Sequence, residues 1–287
     1  MKSVSGFLYG LVSSASFGLI PLFTVPLLAS GMGFMSVLTY RFIFATIILA
    51  LMLLCRKQSF KIKQKDLLSV TLLSVFYIIS SLFLIWGYTF MSSGIATTIH
   101  FMYPVITTVI MMFFFHENKS PWRIGAVLTA ILGVYFLSKK NGDADFDWVG
   151  IIVVLISGLG YALYLVAIGQ MKKLEVKGLK LTFYVFFIST VMLLAGMLTF
   201  GDIEPLDSAS KITNLLLLAF IPTAISNLSL VEAIKRIGST LTSVLGAMEP
   251  VTAVIVGIFV FNEVFTTTIA IGITLIISAV CVIILKR

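Results

Sequence analysis

Charge is what this chain has least of. Asp, Glu, Lys and Arg supply 11% of its 287 residues, against roughly a quarter in water-soluble domains, while 59% are hydrophobic and the mean hydropathy is +1.12. Too few polar side chains remain to coat a soluble globule of this length, so the solvent is a bilayer. Cysteine and histidine are scarce too, with two of each. Cys55 and Cys281 stand apart from any other Cys or His, which excludes a disulfide framework and offers no metal site. Enzyme signatures are missing: no GxSxG, no HExxH, no phosphate-cradling Gly-Lys-Ser/Thr loop and no carboxylate-rich cluster. No loop is long enough for a separate catalytic domain. Catalytic residues, cofactors, metal ions and ATP hydrolysis are therefore not expected.

What the chain does have is long apolar runs. Crossing about 30 Å of hydrocarbon takes about 20 helical residues, and ten stretches qualify: 4–28, 34–55, 67–90, 93–115, 121–138, 148–171, 179–200, 213–234, 239–261 and 265–285. Their Leu, Ile, Phe and Met run without strand-like alternation, against a β-barrel. Lys2 before an apolar run resembles a secretory leader, but the run is too long for one and the sixth span looks like its partner, so it reads as a span.

The basic residues set the orientation. With the N-terminus inside, sixteen of the twenty Lys and Arg fall on the cytoplasmic side, three (Lys139, Lys140, Lys211) on the other, and Arg41 within a span. Both termini are expected to be cytoplasmic, in the cell (inner or plasma) membrane, with the basic inner face meeting anionic lipid headgroups. The scattered basic residues accompany no nucleic-acid-binding module. The chain is expected to be a monomer or a homodimer.

The sequence also repeats itself. From Ile79 to Glu117, an ungapped offset of 146 gives identities at Ile79, Ser80, Leu82, Leu84, Ser93, Met102, Pro104, Val105, Phe113, Phe115 and Glu117. Ten spans and this offset make two units of five, residues 1–140 and 141–287. An odd number per unit forces the second copy to enter from the opposite side, an inverted repeat of the kind that lets two near-equivalent halves open a midplane site to either face. The fold expected is all-α and membrane-embedded, ten transmembrane helices as two inverted five-helix repeats.

Met248-Glu249-Pro250-Val251, Phe261-Asn262-Glu263 and Gly272, the degenerate first copy Met102-Tyr103-Pro104-Val105 with His116, Glu117 and Gly125, and Tyr40-Arg41-Phe42 together resemble the EamA-type family of the drug/metabolite transporter superfamily. The resemblance covers essentially the whole chain. It implies a carrier of small metabolites, often an exporter of amino acids, with a central cavity lined by both halves and the fifth and tenth helices as scaffold. A proton-coupled multidrug exporter is the alternative within transport. A membrane protein of another class, such as an intramembrane enzyme or signalling subunit, predicts no saturable flux.

Candidate pathway residues follow from depth. Pro104 and Pro250 lie mid-span and deprive the carbonyls of His100 and Gly246 of their helical partners, so they either shape a wet site or are packing kinks. Glu249, near mid-bilayer, either binds a substrate ammonium or a proton, or ties its span to a neighbour. Arg41, about 10 Å into span two by helical rise, binds a carboxylate, gates the outer side, or snorkels. His100 is a group in a wet interior or a satisfied buried histidine. Tyr103, Tyr161 and Trp86 are the aromatic candidates for cavity walls, with Tyr88 and Tyr164 behind them; Trp and Tyr are also interface anchors. Ser80, Ser81, Ser226 and Asn227 form a repeated polar patch that either glues helices or lines a cavity. Glu117 and Glu263 read as helix-end anchors, Glu232 with Lys235 and Arg236 as an interfacial ion pair, and Gly6 with Gly10 as a close-packing face.

Overall fold

The computed structural model describes residues 2–115, 121–138, 148–171, 174–176, 178–200 and 203–285. Within them the chain is helical: α1 (Lys2–Phe17), α2 (Ile20–Ala29), α3 (Phe34–Cys55), α4 (Gln64–Gly87), α5 (Ser93–His100), α6 (Tyr103–Phe114), α7 (Pro121–Ser138), α8 (Trp148–Gln170), α9 (Leu179–Phe200), α10 (Ala209–Ala219), a π-helix (Phe220–Ile225), α11 (Ser226–Leu245), α12 (Met248–Phe261) and α13 (Thr267–Leu285). Among the described residues seven helical stretches are long and apolar enough to cross a membrane, while Ile124–Leu137, Met248–Phe261 and Thr267–Val282 are shorter apolar helices. This is a multi-pass helical membrane protein. Residues such as Leu68, Phe114 and Phe259 point their side chains outward, as a lipid-facing surface requires. His116, Glu117, Lys139 and Lys140 lie outside the described residues.

Each break in a helix has a local cause. Span one splits into α1 and α2 at Gly18-Leu19, where α12 comes so close that a Cβ on Gly18 would sit 2.5 Å from the Glu249 carbonyl oxygen; Pro21 then starts α2. Span four breaks at Phe101-Met102, just ahead of Pro104, and span nine at Gly246-Ala247, ahead of Pro250. The expected free carbonyl on Gly246 is not free. The chain tightens by one residue and the Glu249 N–H donates to it at 2.9 Å, which re-satisfies an acceptor that hydrocarbon would penalise. The His100 carbonyl is instead covered by α8, at 3.2 Å from where a Cβ on Gly158 would be.

Spans eight and nine differ from expectation. Helical backbone runs from Ser226 to Leu245 across the boundary placed near residue 238. Along α1, Ser13 meets Ser226, Gly6 meets Arg236 and Ile237, and Gly10 meets Leu245. The contacts descend α1 and then climb it again, so the chain reverses direction inside this segment.

Packing follows the repeat. α1 lies along α11 as α8 lies along α4, while α3 packs on α9, α5 on α12 and α7 on α13. The seams are made of small residues that let backbones approach. Ser13 and Ser226 exchange hydroxyl-to-carbonyl hydrogen bonds, both 2.9 Å. In the other half Ser157 donates to the Ser80 carbonyl at 2.6 Å, and a Cβ on Gly160 would lie 2.9 Å from the Ser80 nitrogen. Ser80 and Ser226 therefore occur twice as interhelical contacts. Gly133 and Gly272 face each other across α7 and α13.

Between α3 and α9, equivalent residues meet one another. Thr46 shares a 3.1 Å hydrogen bond with Thr190, 144 positions later, and the rings of Phe42 and Phe186 cross edge-to-face with centroids 5.1 Å apart. Self-contact of repeat-equivalent residues places the pseudo-two-fold axis between these helices.

Candidate functional site

Along that axis lies a chain of buried polar and aromatic side chains with two poles. At the first, the Pro222 ring cannot donate to the Leu218 carbonyl, and the π-helix carries the irregularity. The Thr223 hydroxyl takes over that carbonyl, donating at 2.9 Å. Its oxygen is then oriented as an acceptor for Arg41 Nε, 3.0 Å away. Arg41 is 1% exposed, and its Nη2 has no hydrogen-bond partner among the described residues. One turn on, Asn227 Nδ2 donates to the Thr223 carbonyl at 2.7 Å.

The second pole is Glu249 on α12. Its Oε1 lies 3.5 Å from the Tyr103 hydroxyl, at the outer limit of a hydrogen bond, and its Oε2 is buried with no partner among the described residues. Tyr103 and Glu249 are the repeat-equivalent pair at offset 146. They face each other because the axis passes between them, as it does between Phe17 and Tyr161, whose rings are 6.2 Å apart.

An aromatic wall joins the poles. Tyr103 meets Tyr161 at 4.6 Å between centroids, Tyr161 meets Tyr164 at 5.9 Å, and Tyr164 meets Tyr77 at 5.3 Å. Tyr77 lies in the electrostatic fields of both Arg41 and Glu249, with its hydroxyl beside Asn227 and Ser81 but closing no hydrogen bond. His100 flanks the wall, its ring 5.7 Å from those of Tyr103 and Tyr161. Ser157 spends its proton on the Ser80 carbonyl, so its oxygen must accept from His100 Nδ1 at 2.8 Å. That puts a proton on Nδ1, so in the neutral ring Nε2 is the acceptor, and Nε2 has no partner among the described residues.

Both ends of the site are closed by latches that the repeat relates. At one end the Glu204 carboxylate caps α3, accepting from the Gly33 N–H at 2.7 Å, and Tyr40 donates to the Glu204 carbonyl at 2.9 Å. At the other, Tyr184, 144 positions after Tyr40, donates to the Phe60 carbonyl, Lys180 to the Lys61 carbonyl, and Lys63 and Lys65 pair with Glu175. The two ammonium groups hold the exposed Glu175 carboxyl down to about 2.

Of the residues singled out by sequence, Arg41, His100, Tyr103, Tyr161, Asn227 and Glu249 belong to this constellation, and Pro104 and Pro250 set the helix starts beside it. Trp86 does not join it. Its ring partners are Phe34, Phe83 and Phe90, an aromatic cluster at the far end of α4; depth alone placed it, and depth says nothing about which face a helix turns inward. Glu263 accepts from the Ser93 N–H and hydroxyl, both at 2.7 Å, and so caps α5. Arg236 pairs with Glu232 at 3.4 Å and lies over the Tyr9 ring. Sequence reasoning passed over Thr223 and Tyr77, although Pro222 in mid-span eight was a visible signal and the 146 offset makes Tyr77 the equivalent of Thr223.

Comparison with known proteins gives one family. The model described as EamA-like transporter family matches residues 4–139 and again 148–285. "Uncharacterized transporter YojE" of Bacillus subtilis (strain 168) is 25% identical over 278 residues, spanning 93% of this chain and 89% of that protein. An "Uncharacterized transporter" of Archaeoglobus fulgidus is 27% identical over 157 residues, 55% of this chain and 54% of its own. A solved structure described as "Crystal structure of protein" shares the fold with a TM-score of 0.68 at 14% identity, over 97% of this chain and 96% of that one.

Proposed function

The chain belongs to the EamA-like transporter family, a membrane transporter therefore, and on that premise we propose that it is a secondary active exporter of small metabolites such as amino acids. It works by alternating access: ten spans in two inverted halves, residues 1–140 and 141–287, with both termini in the cytoplasm, exchange roles around the Arg41–Glu249 chamber. One observation carries the reading. Repeat-equivalent residues, Tyr103 with Glu249 above all, touch across the axis, while equivalent tyrosines latch opposite ends. A scaffold that is symmetric about its own centre can invert without changing its inventory of contacts. In an amino acid exporter Arg41 faces the carboxylate and Glu249 the ammonium.

A proton-coupled multidrug exporter is the second reading, favoured by the Tyr77–Tyr164–Tyr161–Tyr103 wall beside the Glu249 carboxyl, whose Oε2 has no partner among the described residues. The test compares extracellular metabolites of overexpressing and deleted cells, then measures flux in reconstituted vesicles at two pH gradients. Saturable flux of an amino acid is expected. Absence of saturable flux for any metabolite that differs between the strains refutes the carrier reading. Glu249→Gln abolishing the pH dependence of drug flux, with amino acids ignored, favours the second reading.

A further inference from the structure

Among the described residues Arg41 is the largest fully buried side chain, and none of the charged groups described there acts on it as a counter-ion. The titratable groups whose fields reach it are Tyr77 and Tyr88, both phenols, and the Tyr88 hydroxyl is shared with Thr97 at 3.1 Å. No carboxylate among the described residues pairs with it. A guanidinium taken out of water without a counter-charge costs several kcal/mol, yet the fold holds this one with care: Pro222 frees a carbonyl, Thr223 covers it, and the same hydroxyl fixes Nε. Fixing Nε orients the planar guanidinium and leaves both N–H groups of Nη2 without a partner among the described residues. A structural arginine in a membrane interior is expected to spend its donors on carbonyls or an acid; this one keeps the Nη2 pair in reserve.

We propose that the Arg41 fork is a binding site for an oxyanionic group of the transported molecule, a carboxylate or a phosphonate-like head held by guanidinium N–H groups. The proposal rests on the carrier reading for its occupant, and it excludes simple lipophilic cations from this pole. Nη2, its direction set by the Nε bond, can donate charge-assisted N–H bonds to the oxygens of an anion, which an ammonium cannot accept. Thr223 cannot compete for the anion, because its proton is committed to Leu218. Tyr77 and Tyr164 lie next along the wall and receive the apolar body.

The test is binding to the purified full-length protein in detergent, read as a ligand-induced shift in melting temperature, with four probes of one skeleton: 3-phenylpropanoate, 2-phenylethylphosphonate, 3-phenylpropanol and 3-phenylpropylamine. At least one anion is expected to bind tenfold or more tightly than the alcohol and the amine; which of the two binds separates carboxylate from phosphonate. Arg41→Gln is expected to lose that preference and Arg41→Lys to keep part of it, since charge remains but the fork does not. Thr223→Val keeps the guanidinium and frees Nε, and is expected to weaken anion binding several-fold. Where Arg41→Gln does not fold, the wild-type ranking decides alone. A flat ranking, a preference for the amine, or equal anion binding by folded Arg41→Gln overturns the assignment. Vesicle flux is scored separately: no saturable flux with the anion ranking intact overturns the carrier reading and leaves the site standing.

Discussion

Removing one hydroxyl from each end of the molecule should push it in opposite directions. Tyr40 donates to the Glu204 carbonyl and Tyr184 to the Phe60 carbonyl, equivalent bonds at opposite ends of the packed pair α3 and α9. A neutral intramolecular hydrogen bond contributes about 1 kcal/mol, and that free energy corresponds to a shift of about fivefold in a two-state population. Tyr40→Phe keeps the ring and deletes the donor, so the end beside Glu204 should open about fivefold more often; Tyr184→Phe should do the same at the end beside Phe60. In the double variant both open forms gain equally and their ratio returns to the wild-type value. The assay is double electron–electron resonance on spin-label pairs across each end, in a background free of Cys55 and Cys281, reconstituted in nanodiscs. Both single variants opening the same end, or a double variant whose ratio stays with one parent, would refute the reasoning.

Other consequences are as direct. Gly160→Ala should overpack the α4–α8 seam, where the new Cβ would sit 2.9 Å from the Ser80 nitrogen, and lower stability by about 1–3 kcal/mol; Gly196→Ala, with open space around it, should leave the melting temperature unchanged or higher. Glu263→Ala removes the cap of α5 and should cost about 1–2 kcal/mol, seen as faster amide exchange at residues 93–95. The Glu175 carboxyl is held down from 4.5 to about 2, so its contribution is complete above the ordinary value and fades only as pH falls through about 2. Between pH 6 and 8 Glu175→Gln should show the same pH profile as wild type, and at high salt, which screens exposed pairs, the two proteins should open the Phe60 end equally in the same resonance assay.

How far the site could be read in advance depended on which constraint each residue obeys. The repeat is written in residue identity, so the offset of 146 singled out Tyr103 and Glu249, and their contact follows from the axis that any such repeat must have. Tyr40 and Tyr184 escaped the same logic because their spacing is 144; the second half carries two more residues before its third span, and a single ungapped register skips them. Prolines announced the breaks in spans four and nine, but not that a shortened turn would recover the Gly246 carbonyl. Thr223 depended on a compensation one turn long, from Pro222 through Leu218 to Arg41, which exists only once the π-helix forms. Trp86 shows the converse, since hydropathy gives the depth of a side chain along a span and not its azimuth.

The central claim, that two equivalent halves alternately open one chamber, is tested most directly by locking each face in turn. Gly33→Cys with Glu204→Cys, and separately Lys63→Cys with Glu175→Cys, would be bridged by a short bifunctional thiol reagent in a background free of Cys55 and Cys281, and flux followed in vesicles before and after reduction. Either lock alone should abolish saturable flux, and reduction should restore it. Undiminished flux with either face held shut would contradict the account.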